Sequence, residues 1–148
     1  MQMFAAAGTS FLLAVLWFDL MFDVQTRNAG GVLPADVLAS ISAYYRRVTT
    51  DAYPMNRLVA LVMVVTLGAI CAEIVQGATP WWIRWVSIAL AGSGFVLTIT
   101  RTVPNARRLG GARDAPELQS TLARAVYRDH LFSFGRMIVV LALQLIAP

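Results

Sequence analysis

The sequence predicts an all-α integral membrane protein: one domain over residues 1–148, folded as a four-helix antiparallel bundle with the N-terminus and C-terminus outside. Three observations carry this reading. Hydrophobic residues make up 58% of the chain and charged residues only 14%, an imbalance that a soluble domain does not show. Segments at about residues 3–24, 55–75, 81–103 and 129–147 have the length and low charge of bilayer spans, each near 20 residues. All 12 basic residues are arginine, and they fall almost wholly on one side of those segments.

The first span opens the chain, and no charged side chain precedes Asp19. It lacks a basic leader and a clear small-residue cleavage site, so it reads as a retained helix and not as a secretory signal. Asp19 and Asp23 stand one turn apart near its end, and Arg27 a further turn on; an acid four residues before an arginine favours an Asp23–Arg27 pair at the water interface. Asp19 is then left inside the membrane segment, where an unpaired carboxylate costs about 2.5–3.5 kcal/mol on insertion scales. It calls for a partner on another helix or a bound proton; Arg136, well inside the last span, Arg57 at the start of the second and Arg101 at the end of the third are the candidate cations at matching depth.

Between spans one and two, residues 35–52 carry Val37, Leu38, Ile41, Tyr45 and Val48 at helical spacing. This is an amphipathic cytoplasmic helix expected to lie in the interface, with Tyr44, Tyr45, Arg46 and Arg47 at headgroup depth. The second span holds the single cysteine, Cys71, so an intrachain disulfide and a thiol-rich metal site are excluded. Glu73 near its outer end has Arg84 just across the short Gly77 to Pro80 turn, which predicts a local ion pair. In the third span Gly92-Ser93-Gly94 lies mid-membrane with no strand before it, which excludes a nucleotide loop.

Small residues recur at a spacing of four: Ala6, Ser10 and Ala14, then Gly68 and Ala72, Ala89 and Ser93, Gly94 and Thr98. These predict the close-packed helix faces. In the second connection Asp114, Pro116 and Glu117 mark a helix start, with Asp114 as the cap. The amphipathic stretch 115–128 would run into the last span, and one helix from Ala115 to Ala147 would be about 50 Å long.

Arg27, Arg46, Arg47 and Arg57 flank the first long connection, and Arg101, Arg107, Arg108, Arg113, Arg124 and Arg128 lie in the second. The opposite side has only Arg84. This bias places both long connections in the cytoplasm of a bacterial inner (cytoplasmic) membrane. The net charge of +4 is therefore a topological signal, and nucleic acid is excluded as a partner.

All four spans bring polar side chains to the cytoplasmic side. Asp19, Asp23, Asn56, Arg57, Arg101, Asn105, His130 and Arg136 are the candidate ligand-binding residues, with Tyr53, Thr98 and Asp129 in the same layer. No catalytic residue is singled out. One histidine and no lysine exclude a bis-histidine haem and a Schiff base, the many arginines disfavour a divalent cation, and no cofactor or metal is predicted. An arginine-rich pocket roofed by Trp17, Phe18, Phe22, Tyr53 and Phe132 suits an amphipathic anion, such as a lipid phosphate, a quinone-like ring or an aromatic acid.

Thr98, Thr100 and Thr102 lead into VPNARRL at 103–109, and RDHLFSFGR follows at 128–136. In these segments the second half of the chain resembles the anthrone-oxygenase-like group of small four-span membrane proteins. There a threonine-rich helix end runs into a Val-Pro-x-Asn-x-x-Leu pattern, and a His and Arg pair opens the last helix. Here Asn105 follows Pro104 directly, and His130 stands further from Arg136 than in the pattern. The resemblance implies a four-helix membrane fold with Asn105, His130 and Arg136 as its polar positions, and oxygenase activity as the associated chemistry.

Nothing in the residues demands catalysis. The function expected first is a non-catalytic accessory or scaffolding component, its Arg/Asp-lined pocket binding membrane lipid or a hydrophobic anion within a larger membrane complex or homo-oligomer. The alternatives are a membrane-embedded enzyme acting on an aromatic or quinone-like substrate, and a small transporter with Asp19 as its proton or ion site.

Overall fold

The computed structural model describes residues 1–27, 30–77 and 79–146, with Met55 by its backbone alone. Ala147, the expected end of the last span, and Ala78, in the short turn, lie outside the described residues. Six α-helices form among the described residues, and no strand: α1 (Gln2–Asp23), α2 (Ala35–Arg46), α3 (Met55–Gln76), α4 (Trp81–Leu97), α5 (Val103–Gly111) and α6 (Pro116–Ile146). Four helical stretches are long and apolar enough to cross a membrane: Gln2–Thr26, Asn56–Gln76, Trp81–Gly111 and Pro116–Ile146.

These four close into a ring, with α1 packed on α3 and α6, and α4 packed on the same two. The α4–α6 register is antiparallel: Ser87 meets Gln144, Gly94 meets Met137, and Thr102 meets Asp129. The distribution of side chains is that of a protein in lipid. Phe4, Trp17, Trp81 and Phe132 face outward, while Thr9, Thr66, Ser87, Asp129 and Gln144 are buried between helices. Lipid removes the hydrophobic drive between helices, so shape and hydrogen bonds hold the inner face.

Of the small-residue stripes that a spacing of four selects, only Gly94 lies on a buried face, against Met137; Ser10, Ala14, Gly68, Ala89 and Ser93 are exposed, and the buried faces run through Ala5 and Thr9, through Ala69, Ile70 and Glu73, and through Ser87, Ala91 and Gly94. Small size permits close approach but does not choose the face. Gly8 does serve it, since a Cβ there would strike Thr66 of α3.

Two helices are extended by a wider turn in which the backbone bonds five residues back. After α2 it spans Arg47–Asp51, and after α4 it spans Thr98–Thr102, where the Val103 amide reaches the Thr98 carbonyl. Pro104 follows the second of these. A proline has no N–H to continue the four-residue ladder, and a widened turn just before it absorbs the break without ending the rod. The threonine run helps, because Thr98 and Thr100 donate their hydroxyls to carbonyls four residues back.

At the end of the bundle that carries the long connections, α2 and α5 pack against the first half of α6. Leu38, Ile41 and Tyr45 of α2 meet Ala106 and Leu109 of α5 and Leu122, Ala123 and Val126 of α6. The apolar stripe read as an interfacial face is thus covered by protein. A Cβ on Gly110 would lie 2.6 Å from the Arg46 amide nitrogen, so only glycine allows this α2–α5 crossing. The Asp114 carboxylate, read as the α6 cap, holds Arg108 in two hydrogen bonds of 2.7 and 2.9 Å. Those bonds keep its carboxyl below the ordinary range.

At the other end, α3 stops at Gly77, whose left-handed φ of 68° turns the chain towards α4. The expected Glu73–Arg84 ion pair does not form among the described residues. Arg84 Nη1 instead donates to the Ile74 carbonyl at 2.9 Å, satisfying one of the free carbonyls at the end of α3.

Candidate functional site

The site is built where α1 ends. Past Asp23 the helix tightens into a short turn over Val24–Thr26, with Thr26 Oγ1 donating to the Asp23 carbonyl at 2.8 Å. An i, i+4 pair needs an unbroken α-helix, so the expected Asp23–Arg27 pair is lost: Arg27 faces solvent and Asp23 turns inward to complete burial.

There Asp23 is held from two helices. Tyr45 Oη of α2 donates to its Oδ1 at 2.5 Å, and His130 Nδ1 of α6 lies 2.7 Å from its Oδ2. Both carboxylate oxygens accept hydrogen bonds, so Nδ1 is the protonated ring nitrogen. His130 Nε2 is then turned towards Asp19, 3.9 Å from its Oδ2. Asp19 accepts a 2.6 Å hydrogen bond from Tyr44 Oη, whose ring stacks on Phe22 with centroids 4.0 Å apart. Among the described residues none of the expected arginines pairs with Asp19, Arg136 included. Arg136 lies half-buried on α6 away from the cavity, one guanidinium nitrogen enclosed without a hydrogen bond among the described residues.

Tyr44–Asp19, His130 and Asp23–Tyr45 thus form a continuous polar group drawn from α1, α2 and α6. Burial, reinforced by the neighbouring carboxylates, pushes both phenols above their ordinary range. Beside them Asp129 pairs with Arg101 at 3.2 Å, with Thr102 at 3.4 Å. Among the described residues no group of three or more His, Cys, Asp or Glu side chains is placed to hold a metal ion.

Asp19, Tyr44, Tyr45 and His130 line a half-open cavity of about 730 Å³ bounded by the four bundle helices together with α2 and α5. Its polar end also includes Asn56, Arg57 and Arg107, while Leu12, Leu16, Met63, Leu67, Phe95 and Met137 make the rest apolar. The volume and this division match an amphipathic small molecule. Asn56 donates to the Thr49 carbonyl at 3.4 Å, and the Arg57 guanidinium lies over the Tyr53 ring at 4.9 Å. Asn105 is half-buried on α5 and lies off the cavity. Of the expected aromatic roof only Phe18 and Tyr53 line the cavity, and Trp17 packs on Phe134 instead.

Of the eight candidate positions, the fold brings Asp19, Asn56, Arg57 and His130 to one cavity with Asp23 directly behind. Arg101 is drawn off to Asp129, and Asn105 and Arg136 stand apart. Tyr44 and Tyr45, whose sequence context beside two arginines suits headgroup anchors, are instead the hydrogen-bond partners of Asp19 and Asp23. The chain matches no family model, no curated protein and no solved structure, so the likeness to the anthrone-oxygenase-like group rests on its two short segments alone.

Proposed function

We propose that this is a multi-pass protein of a bacterial inner membrane whose cavity takes a hydrophobic ligand with a hydroxyl or carbonyl head, and that His130 exchanges a proton with that head. One observation carries the reading: the Asp23–His130 hydrogen bond, closed off from solvent and backed by Tyr45, leaves Nε2 as the ring nitrogen available at the cavity. A carboxylate behind an imidazole fixes its tautomer and stabilises its charged form, as a general acid–base group requires. Asp19 with Tyr44 stands on the other side of Nε2 as proton partner or hydrogen-bond acceptor for the ligand. This favours the enzyme over the scaffold, with an aromatic hydroxyl or quinone-like carbonyl as the head. The arginine bias of the sequence supports a topology with both long connections inside and both termini outside, and with Arg46 and Arg47 of α2 at headgroup depth.

A second reading is favoured by Arg57 and Arg107, which line the same cavity. They would hold a lipid phosphate, making the protein an accessory component of a larger membrane complex or a homo-oligomer.

The single histidine makes the test direct. In protein labelled with nitrogen-15 histidine, the spectrum reports His130 alone. We expect a hydrogen on Nδ1 in a strong hydrogen bond, and a change at Nε2 when a long-chain 4-alkylphenol is added to the micelles. Asp23→Asn should abolish the tautomer preference and the response together. An imidazole that behaves as in a free peptide, indifferent to the phenol and to Asp23, sinks the proposal. Native mass spectrometry that finds only phospholipid, released by substituting Arg57 and Arg107, would favour the second reading.

A further inference from the structure

Two helical turns beyond the cavity, at the end of the bundle away from His130, a second set of polar side chains is buried. Glu73 of α3 is 3% exposed, Gln144 of α6 1%, and Ser87 of α4 is fully enclosed. Gln144 Nε2 donates to Ser87 Oγ at 3.3 Å, and Gln2 Nε2 of α1 donates to the Gln144 backbone carbonyl at 2.6 Å. The Glu73 carboxyl faces the Gln144 side chain. The amide approaches that carboxyl as a donor without closing a well-formed hydrogen bond, so that Glu73 Oε1, Glu73 Oε2 and Gln144 Oε1 are all enclosed without one among the described residues.

Three buried acceptors without a well-formed hydrogen bond are not a stable arrangement, and a buried carboxylate in particular needs a positive counterpart. The charged groups that face Glu73 do not supply it directly. The Met1 amino group acts on it through space without an ion-pair contact. Arg84 of α4 spends Nη1 on the Ile74 carbonyl and leaves Nε enclosed and without a hydrogen bond among the described residues. The remaining side chains around the set, Ser87 and Gln144, are neutral. A packed layer of Ala5, Ala69, Ile70, Met137 and Val140 separates this set from the His130 cavity.

We propose that Glu73 and Gln144, with Ser87 Oγ beside them, form a site for a monovalent cation, a proton or a sodium ion. The donor set is all oxygen and carries one formal negative charge, which suits a hard cation of single charge. As a proton, the cation makes Glu73 a carboxylic acid whose O–H donates to Gln144 Oε1, removing two of the three unsatisfied acceptors. As sodium, it is bound by the carboxylate, the amide oxygen and the hydroxyl. Either form neutralises the acid in the membrane segment. The site stands independently of the reaction assigned to His130, because it shares none of its residues.

The chain has only two glutamates, Glu73 and Glu117, and Glu117 is exposed on α6. Protein labelled with carbon-13 glutamate and carrying Glu117→Gln therefore shows Glu73 alone in the infrared, with the site unaltered. The whole protein in micelles would be measured at neutral pH in choline chloride and in sodium chloride. An isotope-shifted carboxylic-acid band in both salts identifies the proton. Its absence, together with a rise in melting temperature specific to sodium and lost in Glu73→Gln, identifies sodium. An ionised Glu73 carboxylate in both salts with no sodium-specific stabilisation overturns the site and returns Glu73 to a direct pair with Arg84. The first and third outcomes need no substitution at the site, so poor folding of Glu73→Gln does not blunt them.

Discussion

Asp23 is buried with both oxygens occupied, and that makes Tyr45 a strict requirement. In Tyr45→Phe the Oδ1 lone pairs lose their donor in a place water does not reach, a cost of about 1–3 kcal/mol, which unfolding in a denaturing detergent would measure. Tyr44→Phe removes a bond to the less buried Asp19 and should cost less. Both phenols hold their protons more tightly in the folded chain than in the unfolded one. The sign follows: this contribution is complete below pH of about 10, the ordinary tyrosine range, and is lost as pH rises above it. An ultraviolet titration should therefore show two late-ionising phenols, one fewer in each Phe variant, with alkaline unfolding accompanying their ionisation.

Asp19, Asp23 and His130 were legible in the sequence because an ionisable group within an apolar run is conspicuous whatever it does. Their partners were not. Tyr44 and Tyr45 reach Asp19 and Asp23 across 25 and 22 residues, a distance at which local periodicity carries no information. A tyrosine beside arginines fits a headgroup layer equally well. Arg136 drew notice for the same reason as Asp19, yet matching depth on two helices does not put two side chains on facing sides.

Among the elements, α2 and α5 cross where a single added methyl group meets backbone rather than a side chain. In Gly110→Ala the new Cβ would press on the Arg46 backbone, which cannot rotate away as a side chain would, and overpacking of that kind costs about 1–3 kcal/mol. The same change should displace Tyr45 and weaken the His130 network, so loss of stability and an altered histidine spectrum are expected together. Two residues further on, Ala112 closes α5 at φ 48°, a conformation that suits glycine. Ala112→Gly is expected to raise stability by about 0.5–1 kcal/mol, read as a higher melting temperature. The helices themselves were readable from length and hydropathy. Their inner faces were not, because a membrane helix is apolar on both sides and its periodicity is correspondingly flat.

At the scale of the molecule, the arginine-bearing connections make the most direct topological prediction. In a Cys71→Ser background, single cysteines at Gly30 and Gly111 should react with an impermeant thiol reagent from the same face of oriented vesicles. Labelling from opposite faces would dismantle the four-span arrangement. The same arrangement explains why so much polarity is buried: lipid-facing surfaces must be apolar, so the sequence concentrates its hydroxyls, amides and acids where helices meet.

The last helix gives that concentration a mechanical side. α6 runs unbroken for 31 residues, about 46 Å at 1.5 Å per residue, and carries His130 near its middle and Gln144 near its end. A single stiff shaft cannot twist at one station and stay fixed at the other. A rigid-body shift of this shaft that carried His130 away from Asp23 would carry Gln144 past Glu73 as well, whereas a side-chain rotation at either station leaves the other in place.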